Sequence, residues 1–405
     1  MSIEVRPAEN LDEYQEAFFA IGQYFGQEQS SREDMERFSR LLPLERMLAG
    51  RENGTIVGGA GGFPFEMSVP GGSVRCAGTT VVGVYPTHRR RGVLRAMMRA
   101  HLDDAHERGE PIAALWASEE TIYGRFGYGR AAFSGEISLA RERVAFAHPV
   151  ELGSVARIVD AADALERFPS IWDALATERP GVHGRSRDWW ELRVLRDPPD
   201  RRGGNGPKRF VLFERDGDAV AYAIYRHNMS WDAGSSSGRV YVVEAVGRDA
   251  AATAELWRYL LDIDWVATIE SSLLPPDHPL FFLLAESRRM RYRMGDSLWV
   301  RLLDVGAALS ARTYAADEEL VFEVTDAFCE WNGGRWRLAD GAAERTEASP
   351  DLRLDVRELG SAYLGGIAFR QLAQAGLVEE STPGAIDRAD SVFRHGLHPW
   401  GPEIF

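Results

Sequence analysis

Apolar residues recur along this chain with two different periods, and the switches between them mark out its elements. Over 11–35, Tyr14, Phe18, Ile21 and Phe25 share one helical face with acids opposite, which predicts a single amphipathic helix. From 46 to 84 the pattern changes to β-branched and apolar runs broken at Asn53-Gly54 and Pro70-Gly71-Gly72, the marks of an antiparallel meander whose last strand ends at Val84, just before Pro86. Leu94, Met97, Met98, Leu102 and Ala105 restore the helical period, and Gly109 stops it. Residues 112–117 read as a short buried strand, and Ser118-Glu119-Glu120 as the start of a short helix. Antiparallel strands feeding a strand–helix–strand unit define an α+β, mixed-sheet design.

The middle of the chain repeats this order, with strands over 210–214, 219–231, 240–246 and 265–270 and a helix over 250–261, which predicts a duplicated domain. Between strand and helix the second copy carries only Gly247-Arg248-Asp249, where the first has Arg89-Arg90-Arg91-Gly92. From about Leu298 the character changes. Residues 320–324, 328–336 and 352–356 read as strands, the first two around an Asn332-Gly333-Gly334 turn, and helices follow through Tyr363, Leu372 and Ile386. A length of 405 residues accommodates three such domains, predicted as 1–148, 149–297 and 298–405. The ending, Trp400 to Phe405, is apolar for a terminus and is expected to dock on the protein.

The net charge of −14, with no basic stripe beyond the arginine triplet, disfavours nucleic acid as a partner and suits a polycationic one. No apolar run is long enough to cross a bilayer and no basic, apolar leader opens the chain, so no membrane partner and a cytoplasmic location are expected. Cys76 and Cys329 fall in different predicted domains, and the pairs His101/His106 and His395/His398 have no supporting ligands; neither a disulfide framework nor a metal site is expected. Lys208 is the only lysine.

The first copy's loop carries the chemistry. Successive unpaired amides entering a helix N-terminus point the same way and, with the positive end of the helix dipole, cradle phosphate. Gly92 lets a ligand approach the backbone and the arginines add charge, giving an anion site of the pyrophosphate kind. The polar aromatics Tyr123 and Tyr128 in the Tyr-Gly-Arg-Phe-Gly-Tyr run compete between catalysis and core packing. Phe18, Phe19, Tyr24, Phe25, Phe63 and Phe65 are open between core and pocket, with core the default.

The run Pro86-Thr87-His88-Arg89-Arg90-Arg91-Gly92-Val93-Leu94-Arg95, together with Ala114-Leu115-Trp116-Ala117-Ser118-Glu119 and Ile122-Tyr123-Gly124-Arg125-Phe126-Gly127-Tyr128-Gly129, resembles the Eis (enhanced intracellular survival) family of GCN5-related N-acetyltransferases. Leu94 stands where the general acetyl-CoA motif has a small residue. The resemblance covers the full length and implies two tandem acetyltransferase-type domains, the second degenerate, and a C-terminal domain like a sterol carrier protein that delivers the chain end. It implies acetyl-CoA as cosubstrate: strand pairing to the pantetheine arm at Val82, Gly83 and Val84, pyrophosphate on the amides of Arg90, Arg91, Gly92, Val93 and Leu94, with Arg95 opening the helix, and further contacts from Ser118 and Glu119. It implies Tyr123 as general acid and the main-chain carboxylate of Phe405 as base, in a homohexamer built as a trimer of dimers. The implied activity is N-acetylation of small-molecule amines such as aminoglycosides, at one or several positions. The alternatives are protein lysine Nε-acetylation and a non-catalytic acyl-CoA- or lipid-binding regulator on the same fold.

Overall fold

The computed structural model describes residues 3–405, which form two compact units. One holds the residues through Ala132 with Ser297–Pro399 and Ile404–Phe405; the other is Phe133–Asp296 with Trp400–Glu403.

The first unit opens with β1 (Ile3–Pro7), α1 (Leu11–Gly22), α2 (Arg32–Ser39), β2 (Met47–Glu52), β3 (Thr55–Val69), β4 (Gly72–Val84), α3 (Val93–Glu107), β5 (Ile112–Trp116) and α4 (Glu120–Tyr123). Its main sheet has seven strands in the order β1-β2-β3-β4-β5, then Leu298–Leu302 and Gly129–Arg130. β1 to β4 run antiparallel, and α3 crosses over to make β5 parallel to β4. α3 faces the sheet with Val93, Met97, Met98, Leu102 and Ala105, all buried. The helix predicted over 11–35 is two helices. α1 tightens into a single turn at Gln23–Phe25, Gly26 takes a left-handed φ of 61°, and Ser31 caps α2 by accepting from the Asp34 amide at 3.1 Å. The break is encoded by Gly26 and by the Ser31 cap, against an apolar period that runs straight through it.

Two features of β4 shape the site. It pairs with β5 only at Cys76, Ala77 and Gly78, after which the strands part. Against β3 its register slips between Gly59 and Gly61, where Val81 takes a φ of 55°, a bulge built on a β-branched residue in a region such residues avoid. α1 then lies so close to β4 at Gly83 that a Cβ there would stand 2.6 Å from the Ile21 amide nitrogen.

The same unit carries a five-stranded sheet in the order Ala342–Arg345, Gly334–Ala339, Leu320–Thr325, Leu352–Asp355, Val378–Glu380. The strand predicted over 328–336 begins only at Gly334. Asn332 is the reason: it is buried, its amide donates to the Leu302 and Leu303 carbonyls and to Asp326, and its Oδ1 accepts from the Val305 amide at 3.0 Å. A side chain spent on that many backbone partners holds its segment in a turn.

The second unit's main sheet also has seven strands, in the order Arg293–Asp296, Phe133–Ala140, Thr268–Leu274, Arg239–Gly247, Asp218–Asn228, Arg209–Arg215, Val155–Val159. It repeats the antiparallel run and the parallel pair, the latter joined by the helix Ala250–Leu261. Because Phe133–Ala140 pairs with Thr268–Leu274, the chain enters this unit after Ala132 and not near His148-Pro149. Pairing between residues so distant in sequence leaves no local trace at the boundary. Trp400 docks in this unit, its amide donating to the Pro180 carbonyl at 2.9 Å. Among the described residues no helix is long and apolar enough to cross a membrane.

Candidate active site

Where β4 and β5 part, a cleft of about 710 Å³ opens. Its backbone wall follows from the register. The Tyr85 amide donates to the Val57 carbonyl at 2.9 Å, which makes Gly58 and Val84 a pair that does not share hydrogen bonds. The N–H and C=O of Val84 therefore point away from β3 toward the space β5 has left. This is a short strand edge that β5 does not pair, able to pair with an extended ligand. Val82, which also lines the cleft, follows directly on the bulged Val81.

The cleft's other end is the entry to α3. Arg90 and Gly92 both take left-handed conformations, with φ of 61° and 86°, and no side chain caps the helix. The first helical bond runs from the Ala96 amide to the Gly92 carbonyl at 3.0 Å, so the amides of Val93, Leu94 and Arg95 have no partner within the helix. The equivalent helix of the second unit is closed by its own acid: Asp249 accepts from the Ala252 amide at 2.7 Å and binds Arg215 at 2.9 Å. An acid already sits where an anion would bind. A Cβ on Gly92 would meet nothing within 4 Å, so Gly92→Ala tests backbone conformation alone. It is expected to cost about 1 kcal/mol of stability, read by a thermal melt.

Val82, Gly83, Val84, Arg90, Gly92, Val93, Leu94, Arg95, Ser118, Glu119 and Tyr123 all line this cleft. Arg91 and Phe405 do not. The Arg91 guanidinium turns to β2, 3.0 Å from the buried Glu52 carboxylate, which His88 approaches at 3.5 Å. Arg91 thus braces the loop through its side chain. The Phe405 ring stands edge-on to Phe65 at 4.9 Å, and Phe65 stacks on Phe63 at 5.4 Å. Phe63 and Phe65 are core residues, whereas Tyr24 and Phe25 line the cleft together with Ile21, which sequence reasoning did not single out.

Tyr123 and Tyr128 are separated by their surroundings. Tyr128 is fully buried and its hydroxyl is engaged with Thr79 Oγ1 at 2.7 Å, which also meets His101 Nε2 at 2.7 Å. Burial holds His101 down at about 4, so its imidazole is neutral at neutral pH. Tyr123 packs edge-on against Tyr128, with ring centroids 6.0 Å apart, and reaches the cleft. Burial, and then the Glu119 charge, push its phenol up to about 12. Its hydroxyl is therefore held in its protonated form at neutral pH.

Comparison with known families gives the class. Acetyltransferase (GNAT) domain families match residues 4–131 and 181–302, and a sterol carrier protein domain family matches 305–402. The chain is an N-acetyltransferase of two GNAT domains and one sterol carrier protein domain. An uncharacterized N-acetyltransferase of Streptomyces avermitilis is 44% identical over 94% of each chain. The N-acetyltransferase Eis of Mycobacterium tuberculosis is 34% identical over 84% of this chain and 83% of its own. The crystal structure of Eis1 from Mycobacterium abscessus superposes with a TM-score of 0.86 at 34% identity, covering 99% of this chain and 100% of that one. The chain belongs to the Eis family of GCN5-related N-acetyltransferases.

Proposed function

We propose that this enzyme transfers the acetyl group of acetyl-CoA to amines of polycationic small molecules such as aminoglycosides. The observation that carries the donor is the strand edge at Val84, with Val82 and Gly83 on the same cleft wall, running toward the uncapped, arginine-flanked N-terminus of α3. An extended amide-bearing arm ending in a pyrophosphate matches that edge and that helix end in order. The net charge of −14 supports a cationic acceptor.

When bound, acetyl-CoA supplies an activated acyl carbon and a thiolate leaving group. The Val82 amide polarises the thioester carbonyl. Tyr123 donates the proton that the departing sulfur takes up, and the α-carboxylate carried by Phe405 accepts the amine's proton. A carboxylate near 3.5 is a weak base in water, so desolvation or a relaying water raises its effectiveness. Extending the chain beyond Phe405 removes that carboxylate and is expected to abolish turnover while coenzyme A still binds; full activity in the extended protein would exclude it as the base. Six copies assembled as a trimer of dimers are the proposed quaternary state, which mass photometry reads directly.

Thiol release from acetyl-CoA, followed with aminoglycosides, diamines and lysine peptides, tests the acceptor. Turnover with aminoglycosides is the expected result. Turnover with lysine peptides alone moves the assignment to protein Nε-acetylation, and tight coenzyme A binding without turnover on any amine moves it to a regulator.

A further inference from the structure

The outward-facing Val84 carbonyl on this strand edge already has a partner. The Tyr24 hydroxyl donates to the Val84 carbonyl at 2.6 Å. Tyr24 is not a core residue: it is 44% exposed, it lines the cleft, and the Arg89 guanidinium lies 5.7 Å from its ring centroid. It sits on the single turn Gln23–Phe25 between the end of α1 and Gly26, beside Phe25, which is 60% exposed. Behind it α1 is fixed to β4 by the close approach of Ile21 to Gly83 and by the Tyr85 hydroxyl, which donates to the Glu16 carbonyl at 3.0 Å. The turn that carries it lies between Gly22 and the left-handed Gly26.

We propose that Tyr24 is a gate residue of the acyl-donor site. In the free protein its phenol caps the Val84 carbonyl, and an extended thioester donor enters only by replacing that O–H with an amide N–H of its own arm. The proposal rests on the donor-site reading above and adds a residue and a selection rule to it. A donor whose arm carries an amide at the right distance exchanges one hydrogen bond for another. A thioester without that amide displaces the phenol and leaves the Val84 carbonyl unpaired, so the gate favours pantetheine-type donors.

The test is calorimetric titration of the full chain and of Tyr24→Phe with coenzyme A, which needs no amine and no turnover. Phenylalanine keeps the ring beside Arg89 and removes only the cap. Without the competing hydroxyl, coenzyme A is expected to bind about three- to tenfold tighter, the worth of one ordinary hydrogen bond. Equal or weaker binding by Tyr24→Phe would overturn the gate, weaker binding meaning that the hydroxyl serves the bound donor. Absence of coenzyme A binding by the unaltered chain would instead overturn the donor-site reading, so the two failures are distinct.

Discussion

Replacing Tyr123 by phenylalanine is expected to lower kcat for thiol release by ~100-fold or more, with the KM for acetyl-CoA little changed. The ring would stay where it is, packed edge-on to Tyr128 and buried in the cluster that includes Met98, Leu102, Leu115 and Phe126, so the fold and the cofactor wall are preserved. Only the proton is lost. The pH profile separates this role from a structural one. Burial and Glu119 push the phenol up to about 12, and a general acid works while protonated, so Tyr123 stays in its working form at every pH below that value. Wild-type kcat should therefore show no fall between about pH 7 and 10 that belongs to this group. A Tyr123→Phe enzyme that keeps wild-type kcat across that range removes the acid assignment.

The elements of the first GNAT domain were legible because their signals are local. Val84 before Pro86, the arginine–glycine loop and the spacing of Leu94, Met97, Met98, Leu102 and Ala105 each sit within a few residues of the feature they specify. The repeat was legible for the same reason, and so was the lack of an extended loop before the second copy's helix. What was not legible is non-local. The crossing of Phe133–Ala140 into the second sheet and the return of Leu298–Leu302 to the first depend on partners far away in sequence. The bulge at Val81 runs against its own residue type, since a β-branched side chain at a φ of 55° carries a local cost that only the surrounding sheet can meet. That bulge directly precedes Val82 on the cleft wall. Arg91 shows a subtler limit. Motif and spacing placed it in the loop, but its guanidinium braces Glu52, because a buried carboxylate within reach is a stronger partner than solvent. A motif specifies the backbone of such a loop better than it specifies where each side chain points.

Glu403→Ala is expected to destabilise the second unit by about 1.5–3 kcal/mol, the loss of charged hydrogen bonds from a network in which Arg185 keeps Glu244. Glu403 accepts from Arg185 Nε and Nη2 at 3.2 and 2.8 Å, from Arg193 Nε at 3.0 Å and from Trp189 Nε1 at 3.0 Å. Arg185 is buried over the Trp172 ring at 3.3 Å and forks onto Glu244 at 3.0 and 2.6 Å, so it cannot turn to water when Glu403 is lost. Burial alone would push the Glu403 carboxyl up, but the Arg185 charge, helped by His183 and Arg193, outweighs it and holds the group well below the usual carboxylate range. A depressed folded value contributes stability that is fully present above the unfolded carboxyl value near 4.3 and is lost as pH falls through the folded one. The melting difference between wild type and Glu403→Ala should therefore be constant from about pH 6 to 8 and shrink in acid below about pH 4. Glu403→Gln keeps the shape and part of the hydrogen bonding, and its loss should fall between the two. Equal melting temperatures for wild type and Glu403→Ala at neutral pH would mean that Trp400 and its neighbours hold the tail without the charge. A full loss, with the acid-dependent convergence, assigns the docking of residues 400–403 to one buried carboxylate.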